Sequence, residues 1–210
     1  ADGGDWKTTF LLVNTSNVPA SFSLAFRQPD GTPLSLPIFG LGSISEYADT
    51  IPAGGIRVIE TQGTGPTLQQ GWMELIGPGS IGGTAIFRQR LQSGVESEGA
   101  VPIADTAGRR FVLPLDNSQG FVSAAAVVNP SGIQSGTAFL TFRNEDGQVF
   151  HSESLTLPAL NRTAFVFPEK FGLTKDRRAT VEFSSSELTV LGLRFNPRGS
   201  FTSVSPVKKP

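Results

Sequence analysis

The chain of 210 residues has no cysteine, which excludes disulfides and thiolate chemistry. That absence agrees with an exported protein that avoids oxidisable thiols, and a single methionine points the same way. His151 is the only histidine. A transition-metal site would therefore rest on carboxylates alone, which argues against zinc, and a Ser-His-Asp triad would need this one residue with no Gly-x-Ser-x-Gly elbow beside it. Alternation along Val149-Phe-His-Ser-Glu153 sets His151 opposite Phe150 and toward solvent. Charge is also scarce, at 17% of residues with a formal net charge of -1, so there is no electrostatic case for nucleic acid or an anionic membrane. No apolar stretch reaches the length of a membrane span, and none is expected. With Ala1 first rather than Met, the chain reads as processed or excised, without a signal peptide.

What the chain does have is turns and short strands. Gly 24 and Pro 15 punctuate runs of alternating polarity, and helix signals hardly occur. The first half predicts strands at Trp6 to Val13, Ser21 to Arg27, Ser43 to Ile51, Gly55 to Thr61, Gly71 to Ile76, Gly82 to Gln92 and Glu96 to Pro102. The second predicts Phe111 to Leu115, Phe121 to Val128, Gly136 to Arg143, Gln148 to Leu157, Arg162 to Phe167, Ala179 to Ser184, Leu188 to Phe195 and Phe201 to Ser205. Only Pro168 to Phe171 looks like a helical turn. Phe22, Leu24 and Phe26 share one strand face, as do Ala138, Leu140 and Phe142.

The halves repeat each other. Phe10-Leu-Leu-Val-Asn14 answers Ala124-Ala-Ala-Val-Val-Asn129, and Phe26-Arg27 with Asp30-Gly31 answers Phe142-Arg143 with Asp146-Gly147. Ile51-Pro52 answers Leu157-Pro158, and Trp72-Met-Glu-Leu75 answers Thr180-Val-Glu-Phe183. The period is too long for a solenoid. The fold expected is all-β: two tandem, duplicated, antiparallel immunoglobulin-like sandwiches at residues 1–104 and 105–210.

Two differences between the halves bear on function. The first half carries an apolar insertion around Leu34, Leu36, Ile38, Phe39 and Leu41, which either caps its own sandwich or offers a patch to another subunit. The second half begins with Phe111, Val112, Leu113 and Leu115, near 110–115, before a polar turn that matches Asp2-Gly-Gly-Asp5. That run is either an interdomain linker or a strand whose counterpart the first sandwich lacks. In the second case an edge is left for strand addition from a neighbouring subunit. These nine residues are the candidate subunit interface.

Nothing else carries a recognisable chemistry. Glu74 and Glu182, like Asp30 and Asp146, are matched between the halves at strand and turn positions that serve folding, and no catalytic residue is assigned. Asp2, Asp5, Asp116, Asn117 and Asp146 are oxygen ligands in loops that could suit calcium, but they form no EF-hand pattern and read as turn formers. Gly77-Pro-Gly-Ser-Ile-Gly-Gly83 lacks the lysine of a phosphate loop. No metal and no cofactor is expected. Trp6 and Tyr47 are the candidate contacts for a glycan, the rival reading. Asn14-Thr-Ser16 and Asn161-Arg-Thr163 match the glycosylation sequon, a short pattern that arises often by chance.

The Gly-Gly-Asp-Trp6 opening, Phe26 to Gly31, Ile51-Pro-Ala-Gly-Gly55, Gly71-Trp72 and Gly83-Thr-Ala-Ile-Phe87 together resemble the tandem β-sandwich repeats of large secreted or surface proteins of environmental bacteria. The resemblance implies an exported, non-enzymatic protein and supplies no catalytic residues. The function expected is therefore structural or adhesive, with self-association into an oligomer or a pilus-like filament, at the cell surface or secreted.

Overall fold

A computed structural model describes residues 1–91, 94–103, 110–185 and 188–209. The chain divides into two compact units, Ala1–Asp105 and Thr106–Pro210. The division expected between residues 104 and 105 lies outside the described residues, as does Gln92 at the end of an expected strand. The fold is all-β and antiparallel, of sandwich type.

The first unit contains β1 (Trp6–Asn14), β2 (Ala20–Arg27), β3 (Leu36–Ile38), β4 (Gly42–Ile44), β5 (Glu46–Ile51), β6 (Ile56–Glu60), β7 (Trp72–Ile76), β8 (Ile81–Arg90) and β9 (Glu96–Pro102). One sheet runs β6-β1-β8-β9, a second β5-β2-β7, and β3 pairs with β4 as a hairpin. Strict alternation on β2 buries Ala20, Phe22, Leu24 and Phe26 and turns Ser21 outward. Phe26 meets Phe10 of the facing sheet with ring centroids 5.7 Å apart.

The second unit contains β10 (Arg110–Asp116), β11 (Val122–Val128), β12 (Gly136–Arg143), β13 (Val149–Leu157), β14 (Arg162–Val166), α1 (Phe167–Lys170), a 3-10 turn (Gly172–Thr174), β15 (Arg178–Ser185), β16 (Thr189–Phe195), β17 (Phe201–Val204) and β18 (Val207–Lys208). Its sheets run β13-β12-β15-β10-β18 and β14-β11-β16-β17. Pro168 fits the first turn of α1, where a missing N–H costs nothing. The helix delivers Phe167 and Phe171 to the core, 6.3 and 5.0 Å from Phe142.

Three local expectations change. The strand expected over Ser43 to Ile51 is two strands, because Gly42–Ile44 pairs with β3 and Glu46–Ile51 pairs with β2. The short strands β3 and β18 are too brief to show a periodic signal. His151 does not point to solvent from the side opposite Phe150: a bulge between Phe142 and Arg143 shifts the register, so both rings lie against Phe142, at 5.5 and 6.1 Å. One extra residue is enough to break period-2 alternation.

Candidate functional site

The leading apolar run of the second unit is a full strand. β10 pairs along its whole length with β15, from Arg110↔Ser184 to Asp116↔Arg178. Phe111, Leu113 and Leu115 are buried in the core of their own unit, while Val112 is half-buried on the other face. Pro114 is tolerated because β18 pairs only with Phe111 and Val112, which leaves that side of β10 without a ladder at Pro114. Arg110 and Lys209 neutralise the buried Glu182 at 3.2 and 2.8 Å, and the Lys209 hydrogen bond outweighs desolvation to hold its carboxyl below the ordinary range.

Among the described residues, the first unit presents the same edge without that strand. Its β2–β7 register, Phe26↔Met73 and Leu24↔Leu75, matches Phe142↔Val181 and Leu140↔Phe183 in the second unit. Thus Met73 stands where Val181 does, Leu75 where Phe183 does, and Glu74, paired with Arg27 at 3.3 Å, where Glu182 does. Among the described residues, no strand pairs with β7 on the side away from β2. The consequence shows in burial: Val181 and Phe183 are 0% exposed, whereas Met73 and Leu75 are only half-buried and Ile76 is 57% exposed.

A backbone bridge stands at the matching position of the first unit. Asp2 and Gln69 exchange two backbone hydrogen bonds, 3.0 and 2.8 Å, in an antiparallel bridge. In the second unit Asn117, the residue after β10, donates its backbone N–H to the Arg177 carbonyl at 2.9 Å. Asp2 is 2% exposed, and its carboxylate is spent on the Gly63 amide at 2.7 Å.

Leu34, half-buried, crowds Gly71, where a Cβ would lie 2.6 Å from its Cδ2. In the second unit Leu113 packs over Gly192 so closely that a Cβ there would sit 2.3 Å from Leu113 Cδ1. Matching Asn14 with Asn129, the paired positions Phe10↔Ala85 of the first unit correspond to Ala125↔Gly192 of the second. The rest of the insertion divides its roles: Leu36 and Ile38 are core residues, whereas Phe39 and Leu41, which flank Gly40 at the hairpin tip, are 76% and 46% exposed. Of the nine residues expected at a subunit interface, Leu36, Ile38, Phe111, Leu113 and Leu115 are therefore inside their own units. Alternation sends them inward, and Phe39, Leu41, Leu34 and Val112 keep surface.

The other candidates serve structure. Asn14 and Asn129 are fully buried, and each stitches a loop to the end of a strand. Asn14 Nδ2 donates to the carbonyls of Val18, Ile51 and Pro52 at 2.8, 3.1 and 3.2 Å. Asn129 Nδ2 donates to Gln134, Leu157 and Pro158 at 2.8, 3.1 and 2.9 Å. The Asn14 sequon therefore offers no free amide, and Asn161 donates to Ala159 at 3.0 Å. The signal for these stitches was in the sequence, since Asn and the Ile51-Pro52 or Leu157-Pro158 pair recur together.

Trp6, on β1, and Tyr47, on β5, stand in different sheets. Tyr47 donates its hydroxyl to Asp49 at 2.6 Å, and burial together with that carboxylate pushes the phenol up. Arg57 completes the group, 2.7 Å from Asp49. Asp30 holds its own turn through the Thr32 hydroxyl and amide, 2.6 and 3.0 Å. His151 faces Glu153 at 3.3 Å. Among the described residues, no three His, Cys, Asp or Glu side chains gather as a metal site, and no helix is long and apolar enough to cross a membrane.

No known family model matches the chain, and no curated protein does. Among solved structures there is a weak similarity to a β-glucuronidase of glycoside hydrolase family 2, at 9% identity and a TM-score of 0.21, covering 96% of this chain and 22% of that one. Similarity at that level carries no statement about fold or activity.

Proposed function

We propose that the chain is a non-catalytic structural or adhesive module of an exported or cell-surface protein, made of two duplicated immunoglobulin-like sandwiches that associate with further copies by strand complementation. The observation that carries this reading is the contrast between two matched edges: β15 is covered by β10, and β7 has no strand on the corresponding side among the described residues. An uncovered edge exposes backbone donors and acceptors, which are a template for another strand unless they are covered or charged. The apolar tip at Phe39 and Leu41 adds surface that desolvation would drive toward a partner. Against catalysis, Glu74, Glu182 and Asp49 are each tied up in ion pairs within the fold.

Sedimentation velocity across a wide concentration range, with negative-stain micrographs of the most concentrated sample, tests the assembly. Reversible growth into oligomers or filaments is the expected result, weakened by Phe39→Asp. A compact monomer at every concentration refutes self-assembly.

A further inference from the structure

We infer a head-to-tail contact between copies, in which Phe139 of one chain seats in a hollow on the outer face of the β5-β2-β7 sheet of the next. It rests on the reading of the chain as self-associating and gives that association a second surface, apart from the edge of β7.

The duplication supplies both partners. Phe26 corresponds to Phe142, so Ser23 corresponds to Phe139, and alternation turns both away from their own cores. In the first unit Ser23 lies between Ala48 of β5 and Ile76 of β7. The small side chains leave a hollow of about 380 Å³ lined by Ser23, Ala25, Ala48, Ile76, Arg27 and Glu46. In the second unit Phe139 lies between Ser154 of β13 and Ser184 of β15, with Thr137 and Thr141 beside it on the same face of β12. Surrounded by short side chains, the ring is 64% exposed. One sheet therefore has a hollow where its duplicate has a ring.

Size and charge both fit a second copy. A cavity of about 150 Å³ already takes benzene, so the hollow has room for the ring, and Ile76 offers it an exposed apolar wall. Seating removes two exposed apolar side chains from water together. Glu46 and Glu74 both pair with Ala25, one on each side, which sets each about 8 Å from Ser23 by strand spacing and rise. Arg110 pairs with Ser184, two strands from Phe139, or about 10 Å. A seated ring thus brings the Arg110 guanidinium within reach of the acidic rim. The excess charges are opposite: Arg27 offsets Glu74 and Glu46 remains, whereas Arg110 and Lys209 share the one carboxylate of Glu182. Because ring and hollow lie on different units, the contact is heterologous, and every added copy presents a fresh site to the next.

Two variants that exchange the matched residues test it. Ser23→Phe fills the hollow and keeps the ring; Phe139→Ser removes the ring and keeps the hollow. In sedimentation velocity each variant alone should associate at least roughly tenfold more weakly than the unaltered chain. Their equimolar mixture should form a one-to-one complex that grows no further, since only one ring and one hollow remain between them. Should Ser23→Phe fail to fold, Ala48→Lys, on the exposed strand β5, blocks the hollow in its place. Oligomers of either variant as strong as those of the unaltered chain overturn the contact and leave self-association standing. A mixture that stays monomeric while the unaltered chain assembles overturns the contact as well. An unaltered chain that is monomeric at every concentration refutes both.

Discussion

Replacing Asn14 by alanine removes one buried carboxamide and unsatisfies five partners at once. Two N–H groups serve the carbonyls of Val18, Ile51 and Pro52, and Oδ1 accepts from the amide and hydroxyl of Ser16 at 3.0 and 2.8 Å. Each bond contributes about 1 kcal/mol net, and a buried group left without a partner costs about 1–3 kcal/mol. Val18 is exposed and Ser16 partly so, and both regain water, whereas the bond to Ile51 is buried. The expected loss is therefore about 3 kcal/mol, or roughly 12–24 °C in Tm for a unit of this size. Trp6 and Trp72 both belong to the first unit, so urea unfolding followed by tryptophan fluorescence reads that unit directly. Asn129→Ala repeats the experiment in the second unit, which has no tryptophan and is followed by far-UV circular dichroism. A loss below about 1 kcal/mol in both variants would refute the stitch, because it would mean that water satisfies the abandoned carbonyls equally well.

Two further perturbations address the edge strand. Burial disfavours ionisation of Asp116, but hydrogen bonds from Ser118 and the Arg194 guanidinium at 2.6 Å outweigh it and lower the pKa to about 2. A depressed folded pKa gives stability that is present above the unfolded value of 3.8 and lost as pH falls through about 2. Asp116→Asn should flatten the acid limb of the stability profile by about 2 kcal/mol over that window, and superimposable acid limbs would contradict it. Gly192→Ala drives a Cβ to 2.3 Å from Leu113 Cδ1 and 2.6 Å from the Val204 carbonyl. It should cost about 1–3 kcal/mol by calorimetry, whereas Gly132→Ala, with open space at its Cβ, stays within about 0.5 kcal/mol. An unchanged Tm for Gly192→Ala would mean that Leu113 is not seated there.

Much of this molecule is legible because strand chemistry is local. The run Glu96 to Pro102 and the run Gly136 to Arg143 are read from alternation and turn residues to the same bounds that the structure has, since each residue's facing is set by its immediate neighbours. The bulge at Phe142 and Arg143 is not legible, because it answers to the rings of Phe150, His151 and Phe171 packing around Phe142. Nor is the split fate of the insertion. Leu36 and Phe39 are equally apolar, and only the hairpin geometry of β3 and β4 decides that one is buried and the other exposed.

The edge shows the division most clearly. By itself the sequence determined that the run from Phe111 to Leu115 has strand character and that no matching apolar run lies between Ala1 and Asp5, because composition and periodicity are properties of the chain alone. Only the tertiary structure decided that this strand pairs with β15 and that the matched β7 has no strand there among the described residues. It also decided that Leu34 packs against Gly71, the residue before β7. Pairing partners and free space depend on residues far apart in the chain, and a sequence states neither until folding brings them together.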